Sequence, residues 1–235
     1  MTVHKRPFVV AIDGPAGSGK GTIATGLAQR LGFSYCETGF FFRVLAWHLL
    51  HLKLKPENIP SIENVMASAW FQKEWKAFDR SILREEHIGT LASEIAKISQ
   101  VRTAFTEFQR QEVLQEISPG VILEGRDTGS SVFPDAECKI FLTAAPEVRA
   151  HRRFQELQQK GTDISYDQVL KDLCHRDEND THRALSPLKW DATYHKLDTS
   201  SLSIEESIQA TEHIIHQTLA ENIASSGNAS MAAIS

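Results

Sequence analysis

The sequence predicts an α/β fold with a five-stranded parallel sheet. Short, continuous apolar runs alternate with segments of helical spacing along most of the 235 residues. Such runs are typical of strands buried on both faces, and their alternation with helices predicts a parallel sheet covered on both sides. A third observation is the glycine-rich loop that joins the first run to the first helical segment in a strand–loop–helix connection.

The apolar runs define the predicted strands. Three of them are long and purely apolar at their centres, and two are weaker. In chain order the five predicted strands are Phe8–Asp13 (FVVAID), Phe33–Thr38, Gly120–Gly125 (GVILEG), Cys138–Ala144 (CKIFLTA) and Tyr194–Ser200.

The first predicted helix follows the glycine-rich loop. Ile23, Leu27 and Leu31 recur every four residues, and Gly32 comes where the helix should stop. Further helices are predicted over Phe41–Leu54 and, with an amphipathic pattern, from about Ser203 to Leu219.

We predict one domain over residues 1–222, interrupted by two charged segments that do not follow the alternation. The first covers about residues 56–100, between the second and third strands, and the second about residues 154–189, between the fourth and fifth. Residues 223–235 are small and polar, and this composition predicts a disordered tail.

Composition excludes several classes of protein. The net charge of −5 argues against a general nucleic-acid binder, which would usually be basic. The chain has no apolar run near the ~18 residues that a membrane span needs. The first residues contain no long apolar stretch, so we expect no signal peptide and a cytoplasmic protein without a membrane partner. The three cysteines form no CxxC pair and the paired histidines lack a third ligand, so we expect no metal site made of protein side chains.

The loop AIDGPAGSGKGT carries the clearest chemical signal. Gly14, Gly19 and Lys20 fit the pattern Gly, four residues, Gly, Lys, whereas the usual Ser or Thr arrives one residue late, at Thr22. A strand, a glycine-rich turn and a helix present a row of N–H groups to phosphate oxygens. We therefore predict that nucleotide phosphate binds to Gly14, Pro15, Ala16, Gly17, Ser18, Gly19, Lys20, Gly21 and Thr22. The alternative is a tight turn with no ligand.

The displaced hydroxyl affects metal binding. In most phosphate-binding loops the residue after the lysine binds Mg²⁺ directly, which Gly21 cannot do. Thr22 is left to contact phosphate or to reach the metal through water. A regulatory GTPase is disfavoured, since the chain contains neither a DxxG nor an NKxD string.

The ending GKGT resembles the nucleoside monophosphate kinases, and further stretches narrow the resemblance to the bacterial cytidylate kinases. They come in the family's order and cover most of residues 8–210: ETGFFFR, LREEHIGTLASEIAKISQVR, EGRDTGSSVFPDA, KIFLTAAPEVRAHRR, HRDENDTHRALSPL and LDTSSLSIEE. The resemblance implies a P-loop three-layer fold with an acceptor-binding insert over residues 56–100 and a helical lid over residues 154–189. It also implies transfer of the γ-phosphoryl group of ATP to CMP or dCMP with Mg²⁺, in pyrimidine nucleotide metabolism, by a monomer.

The resemblance also implies roles for individual residues. Lys20, Arg126 and one of Arg152 and Arg153 would act on the transferring phosphoryl group. The acceptor phosphate would be bound by Thr38, Arg43, Arg126 and Arg183. Ser93, Arg102 and Asp127 would read cytosine, and Arg176 and Asp180 would hold the ribose.

Several alternatives stay open at this point. Ser93 could be an ordinary serine on a helix face, and Asp127 could serve only to orient an arginine through an ion pair. The acceptor could be UMP, AMP or a compound that is not a nucleotide, and a nucleotide-binding regulator without turnover is a further possibility. The segment Ala69–Leu83 is shorter and less strand-like than the family's insert.

Overall fold

The computed structural model describes residues 6–68 and 78–232. The chain divides into two compact units. The core unit comprises the residues up to Cys36 together with those from Val113 onward, and the helical unit comprises Glu37–Glu112. The elements in chain order are β1 (Phe8–Asp13), α1 (Lys20–Leu31), β2 (Ser34–Glu37), α2 (Thr38–His51), α3 (Ile59–Ala67), a 3₁₀ turn (Ile82–Arg84), α4 (Glu86–Ile95), α5 (Ser99–Leu114), β3 (Gly120–Gly125), a π turn (Thr128–Val132), β4 (Cys138–Thr143), α6 (Pro146–Gln159), α7 (Tyr166–His182), β5 (His195–Asp198) and α8 (Ile204–Ala232).

The sheet has five strands in the order β2-β3-β1-β4-β5, which confirms the predicted α/β fold. β1 pairs in parallel with β3 on one side and with β4 on the other, and β4 pairs in parallel with β5. The carboxyl ends of these strands therefore lie along one edge of the sheet. In open α/β sheets this is the edge at which ligands bind.

Apolar side chains cover both faces of the sheet, as the continuous apolar strands predicted. On one face, residues of β1, β3 and β4 pack with α1 and α8 in a cluster of Val10, Ile12, Ile23, Ala24, Leu27, Ala28, Ile122, Cys138, Ile140, Leu142, Ile208 and Ile215. On the other face the buried cluster is Val9, Val113, Val121, Leu123, Val132 and Phe133. Alternate residues of β1 enter the two clusters, because successive side chains of a strand point to opposite faces.

Gly32 ends α1 as predicted. Its φ of 65° is left-handed, and its N–H donates to the carbonyl of Ala28. Glycine adopts this conformation without a steric penalty, which is why it terminates helices so often.

α8 is longer than predicted. The apolar spacing indicated a helix as far as Leu219, and the composition indicated a disordered tail from residue 223, but the helix continues to Ala232. Residues 223–232 are therefore helical in this structure. The physical reason is that an existing helix extends at little cost through residues of high helix propensity such as alanine.

The helical unit contains α2, α3, α4 and most of α5. Phe41 of α2 is fully buried and contacts Phe105 and Phe108 of α5, with ring centroids 6.2 and 5.4 Å away. This unit is wider than the predicted insert of residues 56–100, since α2 and α5 form part of it. Most of the unusual stretch Ala69–Leu83, including both tryptophans at positions 70 and 75, lies outside the described residues.

Within the part of the chain that the structure describes, none of the helices is both apolar enough and long enough to span a bilayer.

Candidate functional site

The loop between β1 and α1 has the conformation that its glycines allow. Gly17 and Gly19 have φ values of 71° and 84°, in the left-handed region that other residues rarely adopt. At Gly14 the constraint is steric, because a Cβ there would lie 2.0 Å from the carbonyl oxygen of Leu142 in β4. The loop is thus pressed against the carboxyl end of the sheet.

Lys20 begins α1, and its side chain folds back over the loop. Its Nζ donates to the carbonyl of Pro15 at 2.8 Å and to Oγ of Ser18 at 3.4 Å, and the residue is only 5% exposed. Burial, followed by the positive charge of Arg126, lowers the pKa of Lys20 to about 7. A polyanion bound at the loop would reverse this effect, because it favours the protonated amine.

Asp13, at the end of β1, is a site residue that the sequence analysis missed. The carboxylate is fully buried and accepts hydrogen bonds from the N–H groups of Thr128 and Gly129, each at 2.8 Å, and from the hydroxyl of Tyr194 at 2.9 Å. Burial raises the pKa of Asp13, against the effect of these donors. The only signal in the sequence was an acidic residue at the end of a buried strand.

Two ion pairs connect the end of α7, and Arg183 directly after it, to the residues that follow β3. Arg126 donates through Nε to Oδ2 of Asp180 at 2.8 Å, and Arg183 donates through Nη2 to Oδ1 of Asp127 at 3.0 Å. Arg183 also lies 3.9 Å from Asp180. Burial alone would raise the pKa of Asp180, but the attraction of Arg126 and Arg176 holds it below its ordinary value. Five predicted site residues are thus brought together in the core unit.

The arginines of α6 have different surroundings. Arg152 donates to the carbonyl of Thr199 at 2.7 Å and so binds the loop after β5. The side chain of Arg153 is 44% exposed and pairs with Glu156 on the same helix. Arg149, one turn earlier, is buried and donates to the carbonyl of Ala16 in the phosphate-binding loop at 2.8 Å. The predicted catalytic roles of Arg152 and Arg153 stay predictions.

Thr38 and Arg43 lie on α2 in the helical unit. Thr38 is its first residue and is buried, and its carbonyl accepts a hydrogen bond from Nε2 of Gln109 at 3.1 Å. Nη1 of Arg43 donates to the carbonyl of Leu83 at 2.7 Å. A Cβ at Gly89 would lie 3.2 Å from the same guanidinium nitrogen, so glycine leaves the space that Arg43 occupies.

Ser93 and Arg102 also belong to the helical unit. Ser93 is exposed on α4, where its hydroxyl donates to the carbonyl of Gly89, one turn earlier, at 3.1 Å. Arg102 is 9% exposed, donates through Nε to the carbonyl of Ala96 at 3.0 Å and lies over the ring of Phe42, 5.5 Å from its centroid. The hydrogen bond of Ser93 is the one expected of an ordinary serine in a helix. The guanidinium of Arg102 is held more firmly, by a backbone carbonyl and an aromatic ring.

A carboxylate lies next to the unusual position 21. A Cβ on Gly21 would be 3.8 Å from Oε1 of Glu124, the penultimate residue of β3. Tyr35 donates to the same oxygen at 3.4 Å. Among residues 6–68 and 78–232, no three His, Cys, Asp or Glu side chains are grouped as metal ligands. A single carboxylate fits Mg²⁺, which keeps several waters and shares its ligands with substrate phosphates.

Comparison with known protein sequences gives one consistent result. The cytidylate kinase family matches residues 10–217. A protein named cytidylate kinase from Brucella suis biovar 1 (strain 1330) is 40% identical over 92% of this chain and 96% of its own length. One of the same name from Sinorhizobium medicae (strain WSM419) is 41% identical over 92% of this chain and 99% of its own. Among solved structures, a gluconokinase from Sinorhizobium meliloti 1021 is 16% identical, with a TM-score of 0.46 over 94% of this chain and 97% of that one.

Proposed function

Because the chain belongs to the cytidylate kinase family, we propose that it transfers the γ-phosphoryl group of ATP to CMP and dCMP, forming CDP and dCDP. The observation that carries this proposal is the geometry at the carboxyl edge of the sheet. There a glycine-rich loop with a buried lysine lies at the end of β1, and two arginines are held by carboxylates: Arg126 by Asp180 of α7, and Arg183 by Asp127 after β3. The first feature suits a phosphate donor and the second suits a phosphate acceptor.

The reaction joins two polyanions. The acceptor phosphate is already ionised, so no strong general base is required, and catalysis depends on positioning and charge neutralisation. Lys20 would bind the β- and γ-phosphates. Arg126 and Arg183 would bind the acceptor phosphate, because a guanidinium is always charged and its planar fork fits phosphate. From the family resemblance we assign Arg43 and Thr38 to the same phosphate, and one of Arg152 and Arg153 to the transferring group.

Recognition of the acceptor's base and sugar is assigned on the same resemblance. Cytosine offers an exocyclic amine as a donor and N3 and O2 as acceptors. Asp127 and Ser93 would accept from the amine, and Arg102 would donate to the ring. Arg176 and Asp180 would bind the ribose hydroxyls.

Mg²⁺ would be held mainly by nucleotide phosphates and water. Glu124 is a carboxylate next to the loop that could bind one of those waters, and Thr22 supplies the hydroxyl that directly follows Gly21 in sequence. When bound, the ion neutralises charge on the β- and γ-phosphate oxygens. The side chains of the site would still have to orient both substrates themselves.

The proposed activity also implies a lid, small-molecule partners and a cellular location. We propose that residues 154–189 act as a lid that excludes water from the donor phosphates, since exclusion of water limits hydrolysis of ATP. The expected partners are small nucleotides, without nucleic acid or membrane. We propose a monomer that acts in the cytoplasm, where such nucleotides are used.

The direct test is an assay of ADP release with MgATP and a panel of CMP, dCMP, UMP and AMP, with the products separated by chromatography. CDP and dCDP should form at about 1–100 turnovers per second, the usual range for kinases. Lys20→Ala should fold but lose most of this rate. Preferred phosphorylation of UMP or AMP would reject cytidylate as the acceptor, and near-normal turnover of Lys20→Ala would reject the role of the loop.

A further inference from the structure

Both backbone polar groups of one residue in the phosphate-binding loop, Ala16, are held by side chains from α6 and α7. The N–H of Ala16 donates to Oδ1 of Asp177 at 3.0 Å, and its carbonyl accepts from Nη1 of Arg149 at 2.8 Å. The same arginine nitrogen forms an ion pair with Oδ2 of Asp177. Ala16, Asp177 and Arg149 therefore close a ring of three polar contacts, which fixes the two peptide groups on either side of the Ala16 Cα.

The two side chains that hold Ala16 belong to different parts of the core unit. Arg149 of α6 is 5% exposed, and its Nε donates to the carbonyl of Ala144 at 2.8 Å, just after β4. This contact anchors the guanidinium to the edge of the sheet. Asp177 lies on α7, inside the segment proposed as the lid. The ring therefore connects the sheet, the phosphate-binding loop and α7.

Packing at the next loop residue supports the same connection. A Cβ on Gly17 would lie 3.1 Å from Cδ1 of Leu173 on α7 and 3.3 Å from Cβ of Arg149 on α6. Leu173 is buried one turn before Asp177. The loop thus rests directly on both helices, and a side chain at position 17 would push it away from them.

The charge of Asp177 needs a partner at this place. A carboxylate bonded to the backbone of a phosphate-binding loop would repel the phosphates that the loop attracts. The guanidinium of Arg149 neutralises it while also holding the neighbouring carbonyl. The pair therefore shapes the loop without adding negative charge to it.

We propose that Arg149 and Asp177 are positioning residues for the donor nucleotide, holding Ala16 so that the loop is preformed for polyphosphate and α7 is tied to it. The inference rests on the proposed function only in taking this loop as the ATP site. α7 also carries Asp180, which bonds Arg126, and is followed by Arg183, which bonds Asp127. One helix thus contacts the loop for the donor and the arginines proposed for the acceptor.

The test measures binding of MgATP by calorimetry, which does not require an acceptor, for Arg149→Gln, Asp177→Asn and the double variant. Asp172→Asn is the matched control, because Asp172 is an exposed aspartate of α7 that bonds only a side chain one turn earlier among its described contacts. Arg149→Gln should raise the Kd for ATP by at least about 10-fold, since it leaves a charged group without its partner. The double variant should bind ATP more tightly than Arg149→Gln does, because it no longer carries the carboxylate.

Two further measurements separate positioning from general damage. The KM for CMP should change by less than about twofold in Asp177→Asn while the KM for ATP rises several-fold, as expected of a hydrogen bond to a charged group. Equal losses for both nucleotides, or no recovery in the double variant, would overturn the proposal. If Arg149→Gln does not fold, the test becomes a comparison of the Kd for ATP between Asp177→Asn and the control Asp172→Asn. Equal Kd values in these two variants would also overturn the proposal. A protein that binds ATP but does not phosphorylate CMP would reject the proposed function and leave this test valid.

Discussion

The hydroxyl of Tyr194 donates a hydrogen bond to Oδ2 of Asp13 over 2.9 Å, and both residues are buried. The other donors to this carboxylate are the N–H groups of Thr128 and Gly129. Asp13 thereby fixes the turn that directly follows Arg126 and Asp127, and Tyr194 completes its set of donors.

Tyr194→Phe should lower the free energy of unfolding by about 1–3 kcal/mol, because a buried carboxylate loses a donor. The hydrogen bond lowers the pKa of Asp13 by favouring its ionised form, so the loss should be larger at neutral than at acid pH. Urea unfolding at two pH values measures both effects. In Tyr166→Phe, which loses a weaker contact of 3.3 Å at the surface, the change should stay within about 0.5 kcal/mol. If the two substitutions changed the free energy of unfolding equally, the hydrogen bond from Tyr194 to Asp13 would not have the stabilising role proposed for it.

Binding of ATP should be accompanied by uptake of a proton at Lys20. Its pKa of about 7 in the folded protein means that most of the amine is neutral at pH 8, and bound phosphates would restore the charge. Calorimetry at pH 8 in buffers of high and low ionisation enthalpy should therefore give different binding enthalpies, and Lys20→Met should remove the difference. Identical enthalpies for the natural protein in both buffers would contradict a neutral lysine.

The same lysine should affect stability with a definite sign. The folded pKa of about 7 lies below the ordinary value of 10.5, so the unfolded chain holds more protons between these two pH values. Stability contributed at Lys20 therefore rises with pH across this window. Urea unfolding should show that Lys20→Met has a higher free energy of unfolding than the natural protein. The difference should be largest at pH 6–7 and should become smaller toward pH 10. A difference independent of pH would show that the amine is not perturbed.

Asp180→Ala and Arg176→Ala should weaken binding of CMP more than binding of ATP, by about tenfold for a charged hydrogen bond. The structure adds a second way for Asp180 to act, since it holds Arg126 at 2.8 Å. Comparing CMP with dCMP separates the two. If Asp180 binds the ribose, its removal should affect CMP more than dCMP, whereas loss of the Arg126 contact alone should affect both by the same factor.

Asp127→Asn should narrow the preference for CMP over UMP. A carboxylate that accepts from the C4 amine of cytosine faces an oxygen when uracil is bound, and such a mismatch in a buried site is strongly unfavourable. Asp127 also pairs with Arg183 at 3.0 Å, so the alternative is that Asp127 only orients this arginine and does not read the base. The ratio of kcat/KM for CMP and UMP decides between them, because a structural role predicts that both values fall equally and the ratio stays unchanged.

The architecture was predictable because it depends on local patterns. The bounds of β1 and β3 agree with prediction at every residue, and Gly32 ends α1 as expected. These features follow from continuous apolar runs, four-residue spacing and glycine punctuation, all of which are visible over ten or fewer residues. The predicted end of α8 was wrong because it depended on such a pattern. The apolar spacing stops near Leu219, but it does not determine where the helix ends.

The polar contacts of the site were not predictable in the same way. Asp13 and Tyr194 are separated by 181 positions, and Ala16 and Asp177 by 161. The positions of the proposed substrate arginines came from motif resemblance, whereas their carboxylate partners depend on how α7 is placed by the fold. Arg149, Arg152 and Arg153 look alike in sequence, and their surroundings in the structure are all different.

The position of β1 has a consequence for synthesis of the chain. This first strand is central in the sheet, and its neighbours are β3 and β4, so that Phe8 is paired with Gly120 and Val10 with Cys138. While the ribosome is still making the intervening segment, the apolar run FVVAID has no strand to pair with on either side. Such pairing over long sequence distances is slow and leaves apolar surface open to aggregation in the meantime. The nascent protein should therefore depend most on chaperone protection before β4 has left the ribosome, and much less afterwards.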